Sequence, residues 1–319
     1  MSIASTLSGE QVAASFNTDT SLNRVKRRKN REVAFIVVGL IATSIGLVAL
    51  AALMVDLAVT GYSRLSPEFF MNFPSRRASQ AGILSAWVGS FLVISVTGMI
   101  GIPLGVAAGI YLEEYAPKNV WTNIIEINVS NLAGVPSIVY GLLALGLFVY
   151  GFGTGRSIFT AGLTLALLIL PIIIVSTREA IRAVPWSLRE AAYGIGSTKW
   201  QVTRDHVLPA SIPGILTGVI IGISRALGET APLVTIGALS FIAFLPPSPI
   251  TSDFPFVSFA WLFEGFTVLP IQAFNWVSRP GEDFHANAAA AGLVLMTVTL
   301  LLNGIAIYFR YRLRKKLQW

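Results

Sequence analysis

Two full charges, Arg225 and Glu229, stand four residues apart in the apolar run Ser224 Arg225 Ala226 Leu227 Gly228 Glu229 Thr230 Ala231 Pro232. Residues four apart share one face of a helix, so the two can pair. Arginine presents a planar fork of donors that fits an oxyanion bidentately. Glu229 would hold that fork and offset part of its charge, which suits a group that must release what it binds. Thr230 follows directly and is placed with them. The other reading is a structural ion pair that clamps this helix to a neighbour. At 1.5 Å per residue, Arg225 would lie ~18 Å along a helix from Pro213, near mid-depth in a bilayer. A charge there costs about 2.5–3.5 kcal/mol on insertion scales, so it must face protein or water.

A second unusual stretch runs from Asn131 to Gly141 and contains Gly134 and Pro136, which disturb a regular helix. Irregular backbone at membrane depth is tolerated only against protein or a water-filled cavity. Asn131, Ser137 and Tyr140 could donate hydrogen bonds into such a cavity. A proline-kinked helix whose polar groups are satisfied by its neighbours fits the same residues.

The third stretch is charged and lies between two apolar ones. Glu190 Ala191 Ala192 is followed by Gly196 and then by Leu208 Pro209. Pro185 suits the first turn of a helix, where its missing N–H would be an orphan in any case. Ala191 and Ala192 give that helix a small face able to enter a partner's groove closely, with Glu190 available to pair at the rim. Gly196 allows a tight exit in a conformation that bulkier residues avoid. An ordinary charged helical hairpin is the plainer alternative.

Other chemistries are excluded. The chain has no cysteine, so thiolate, disulfide and cysteine-metal chemistry are absent, and its two histidines, His206 and His285, are far apart in sequence. A phosphate-binding loop needs Gly, four residues, then Gly-Lys-Ser/Thr, and no such string occurs. No cofactor is expected on this chain. If ATP is used, a separate polypeptide must hydrolyse it.

The elements that must position these residues are membrane helices. The 319 residues are 54% hydrophobic and 12% charged, too apolar for an ordinary soluble domain. Apolar stretches long enough to cross a core of about 30 Å fall at 33–58, 82–111, 130–152, 158–177, 213–242 and 286–309. With the N-terminus inside, the cytoplasmic segments 1–32, 112–129, 178–212 and 310–319 hold 17 of the 23 Lys and Arg. The positive-inside rule therefore predicts both termini in the cytoplasm. The net charge of +7 marks membrane faces rather than nucleic acid. Residues 1–32 read as a disordered basic tail attracted to anionic lipid, and 33–319 as the transmembrane domain, with a core at about 80–310 and a cytoplasmic loop at 178–212. The external segment 243–284, rich in proline and aromatics, reads as an interfacial segment or as a docking surface for an external protein.

The loop spacing resembles the coupling segment of type I binding-protein-dependent ABC importer permeases. It departs from their pattern at one position, where His206, followed by Val207, fills an aliphatic slot. The segments at 131–141, 225–232 and 269–276 are further similar to phosphate-specific permeases, and the last two to the PstA-like subunit. The resemblance covers about 80–310. It implies an all-α polytopic fold of six transmembrane helices and a multi-pass, non-enzymatic subunit of the bacterial inner membrane that moves inorganic phosphate by alternating access. It also implies a PstC-like permease partner, a PstB-like ATPase dimer carrying ATP and Mg, and a PstS-like periplasmic phosphate-binding protein. Sulfate or molybdate in place of phosphate, or an ion-gradient secondary transporter, are the alternatives.

Overall fold

The computed structural model describes residues 18–250, 256 and 258–316. The chain is all-α. Its principal helices are α1 (Thr18–Gly61), α2 (Leu84–Ile110), α3 (Val120–Leu132), α4 (Ser137–Ala144), α5 (Ile158–Arg182), α6 (Trp186–Gly194), α7 (Leu208–Gly228), α8 (Ala231–Thr235), α9 (Leu269–Val277) and α10 (Glu282–Lys316). Contacts divide it into two units, 1–56 and 57–319.

In the first unit, α1 is exposed from 29 to 53. Residues 18–32, expected to belong to a disordered tail, instead extend this helix. Lys and Arg are good helix formers, and a long apolar helix propagates into them once nucleated. The rest of the expected tail, 1–17, lies outside the described residues.

In the second unit, α5 is the buried centre. Gly101, Gly105 and Gly109 of α2 lie against Ile169, Ile173 and Thr177 of α5, so closely that a Cβ added at Gly105 would come within 2.7 Å of Ile173. Gly214 and Gly218 of α7 meet Ala180 and Ser176 on another side of α5. Small residues four apart let membrane helices approach to backbone contact, where dispersion replaces the hydrophobic effect as the driving force.

These pairings fix direction. Residue numbers rise together along α2 and α5, so the two helices run parallel. The chain between them must therefore cross back once. That return is α3 with α4 and its continuation to Gly151, two limbs bent by 106°. Among the described residues five continuous helices are long and apolar enough to span, and the bent pair, counted as one span, makes six.

Two expected spans are corrected. The third, 130–152, is not one helix, because Gly134 and Pro136 break it and the first limb begins at Val120. The fifth, 213–242, ends at Gly228. Glu229 turns to φ −78°, ψ 123°, and Pro232 lies in the first turn of the new helix α8, where its missing N–H costs nothing.

Residues 239–242 and 264–268 lie against the starts of α2 and α5. Leu239 N–H donates to Phe266 O, Ile158 N–H to Glu264 O, and Ser85 Oγ to Ile242 O, at 2.9, 3.1 and 3.0 Å. α9 then enters the body, with Leu269, Ile271, Gln272 and Trp276 buried and Trp276 packed near Phe69, Ala290 and Ala291. Residues 266–272 and 276 of the segment 243–284 are thus structural core.

Candidate transport pathway and coupling loop

Arg225 stands in the last turn of α7, where the free carbonyls carry partial negative charge and favour a cation. Its Nε donates to Glu229 Oε1 at 3.1 Å, and the Arg225 and Glu229 side chains are 35% and 18% exposed. The pair expected from four-residue spacing forms, but not along one helix. Glu229 reaches back from the extended residue that ends α7. Arg225 therefore sits at a helix end and not, as expected, midway along an unbroken span. Thr230 is the residue that opens α8, and its hydroxyl makes no capping bond.

The bend between α3 and α4 lies beside this break. Gly141 has no room for a side chain, since an added Cβ would stand 2.7 Å from Pro232 Cα. Tyr140 is buried in one cluster with Ala226, Leu233 and Ile236, within reach of the Arg225 charge. The two stretches selected from the sequence are therefore brought together by the contact of α4 with α8. Tyr140 Oη donates to Leu132 O at 2.8 Å, a carbonyl that also accepts from Val135 N–H at 3.1 Å within the bend, so its proton is held by the backbone. Ser137 is half-buried at the first position of α4. Asn131 is exposed on the other limb of the bend.

The segment 178–212, the expected coupling loop, folds as two helices around a small core. Pro185 precedes α6, and Gly196, at φ +88°, makes the turn after it. Thr198 then caps the next helix reciprocally with Gln201. Ala192 is buried with Ile181, Val184, Val202 and Val207, whereas Glu190 and Ala191 are exposed. The small face expected of both alanines is thus divided. Ala192 serves the loop's own packing, and Glu190 and Ala191 face outward. A π turn from Val202 to Val207 leads into α7 at Leu208 and Pro209. The wider turn carries Val207 to full burial and leaves His206 half-buried. Val207 therefore makes the apolar contact where the sequence pattern alone pointed to His206.

Sequence reasoning missed the acidic pair Glu113 and Glu114, in the π turn that ends α2. Glu114 Oε1 lies 2.7 Å from Arg189 Nη2, and the two side chains are 9% and 6% exposed. Arg189 also donates to Val184 O and Ile181 O at 2.8 and 3.0 Å. Glu113 Oε2 lies 2.8 Å from Arg182 and 3.5 Å from Arg178, whose Nη2 is 2.7 Å from Glu126. The available signal was the occurrence of acids at one helix end and arginines at another on the same side, which a count of basic residues alone ignores.

An all-α chain of five to six apolar spans with a charged break and a paired-helix loop accords with a permease subunit, and the chain belongs to the family described as binding-protein-dependent transport system inner membrane component, which it matches over residues 101–315. It is a non-catalytic, multi-span inner-membrane subunit of an ABC importer, in which nucleotide binding belongs to a partner ATPase. The chain is 32% identical over 276 residues to the probable ABC transporter permease protein YqgI of Bacillus subtilis (strain 168), covering 84% of this chain and 92% of that protein. It is 33% identical over 286 residues to the phosphate transport system permease protein PstA of Yersinia pestis, covering 88% and 89%. Its fold matches that of a bacterial alginate ABC transporter solved with its pentasaccharide-bound periplasmic protein. That match has a TM-score of 0.61 at 13% identity and covers 91% of this chain and 98% of that one. Membership in this family sets aside the secondary-transporter alternative.

Proposed function

We propose that the chain is the PstA-like permease of an importer for inorganic phosphate. The observation that carries this reading is the Arg225 guanidinium, held on one side by Glu229 at 3.1 Å and left 35% exposed at the break between α7 and α8. With one edge engaged, the fork has donors free for an oxyanion, and the carboxylate limits how tightly the anion stays. Relatives named as phosphate permeases support the same substrate.

Both termini and the loop 178–212 are placed in the cytoplasm. There Glu190, Ala191 and Gly196 meet a PstB-like ATPase dimer, and a PstC-like permease completes the pathway. A loaded PstS-like protein docks outside. Closure of the ATPase pair moves α6, the helices turn outward, phosphate passes Arg225, and hydrolysis resets the state. In this reading residues 33–319 form the permease domain, and the basic cluster before them contacts anionic lipid.

Reconstitution with these partners in proteoliposomes tests it. ATP-dependent uptake of radiolabelled phosphate, not displaced by excess sulfate or molybdate, is the expected result. Uptake of sulfate or molybdate instead would overturn the phosphate assignment.

A further inference from the structure

Arg178 is 6% exposed near the end of α5 and joins two carboxylates from different helices, Glu113 of the turn ending α2 and Glu126 of α3. The guanidinium is the buried partner, while the Glu113 and Glu126 side chains are 17% and 30% exposed, so it is removal of a carboxylate that would leave a buried charge uncompensated. Adjacent to Glu113 is Glu114, which grips Arg189 of the coupling helix α6. A series of contacts therefore runs from α6 through the Arg189–Glu114 pair, the backbone from Glu114 to Glu113, the 3.5 Å approach of Glu113 to Arg178 and the 2.7 Å Arg178–Glu126 pair to α3.

The far end of that series is weakly held elsewhere. Within α3 only Thr122 is buried, and its hydroxyl bonds locally to Pro117 O and Asn119. Glu126 thus provides α3 with its charged tie to the body. Six residues beyond Glu126, α3 ends at the bend of 106°, and the next limb carries Tyr140 and Gly141 against α8. Gly134 and the exposed backbone of the bend are suited to absorb a change of angle.

We infer that Arg178 is a positioning residue of the transport cycle, through which movement of the coupling helix is transmitted by Glu126 to the bent limb beside Arg225. The inference rests on the chain being an ATP-driven permease subunit, but not on phosphate being its substrate. When α6 is displaced, Arg189 carries the Glu113–Glu114 turn with it. Arg178 follows Glu113, and α3 follows Arg178, so the bend opens or closes.

The test uses the assembled complex with its ATPase and partner permease. The chain has no native cysteine, so spin labels can be attached through single cysteines at the exposed positions Trp121 and Ile138, one on each limb of the bend. Trapping with ATP and vanadate should change the label separation in the parent complex. Glu126→Gln should assemble, hydrolyse ATP at the parental rate and lose that change, with phosphate uptake per ATP falling about tenfold. Glu126→Asp, which keeps the charge, should recover part of the change. Glu114→Gln combined with Glu126→Gln should lose no more than the worse single variant, as links in series require. Persistence of the separation change in Glu126→Gln, additive losses in the double variant, or loss of assembly and ATPase together in Glu126→Gln would each overturn the inference. The separation readout needs no transported substrate, so a parent complex that took up no phosphate would count against the substrate assignment alone.

Discussion

Arg225 and Glu229 form their 3.1 Å ion pair across the end of a helix, with Arg225 in the last turn of α7 and Glu229 in the extended residue that stops it. The pair therefore belongs to a break in the helix and not to a helix face. It stands where α8 meets the bent limb α4.

Arg225→Gln is expected to lower phosphate uptake at least about tenfold, since one hydrogen bond to a charged group is worth about 1.5–3 kcal/mol. Assembly and ATPase activity should remain. Arg225→Lys should recover little, because an ammonium lacks the planar fork. Uptake assays on the two variants in parallel check both statements.

The two loop alanines should behave oppositely. Ala192 is 4% exposed, so Ala192→Leu overpacks the loop core and should cost about 1–3 kcal/mol in thermal or denaturant stability. Ala191 faces outward, so Ala191→Asp should leave the isolated chain's stability within about 0.5 kcal/mol while reducing co-purification of the ATPase. Melting and pull-down measured on the same preparations separate the two effects.

Gly141→Ala places a methyl 2.7 Å from Pro232 Cα, against backbone that cannot yield as a flexible side chain would. The expected loss is about 1–3 kcal/mol, with reduced transport even where the complex assembles, because α4 is pushed from α8 beside Arg225. Normal uptake by Gly141→Ala would separate the α4–α8 contact from the pathway.

Topology is checked by labelling single cysteines with a membrane-impermeant maleimide in oriented vesicles. Lys118 and Arg76 are both exposed. A cysteine at 118 should react only from the cytoplasmic face and one at 76 only from the outside, as the distribution of Lys and Arg requires. The reverse pattern would invert the proposed orientation.

Composition and spacing were enough for the class of molecule. Six apolar stretches, the charge asymmetry and the series Glu190, Gly196, Leu208, Pro209 are local properties, read along the chain without knowing what touches what. Gly134 and Pro136 likewise mark a disturbed helix, because their effect on the backbone is intrinsic, but by themselves they leave a kink and a full break open, and the apolar stretch reads as one span. Contacts between distant segments decided the rest. That α8 packs on α4 through Gly141 and Pro232 is one such contact. The division of labour between Ala191 and Ala192, and the burial of Val207 in place of His206, follow from which side of the loop faces its own core. The ties of Arg189 to Glu114 and of Arg178 to Glu126 join residues 75 and 52 positions apart. Sequence periodicity carries no information about such pairs, because a charge's partner is set by which helix ends the close-packed glycine faces bring side by side.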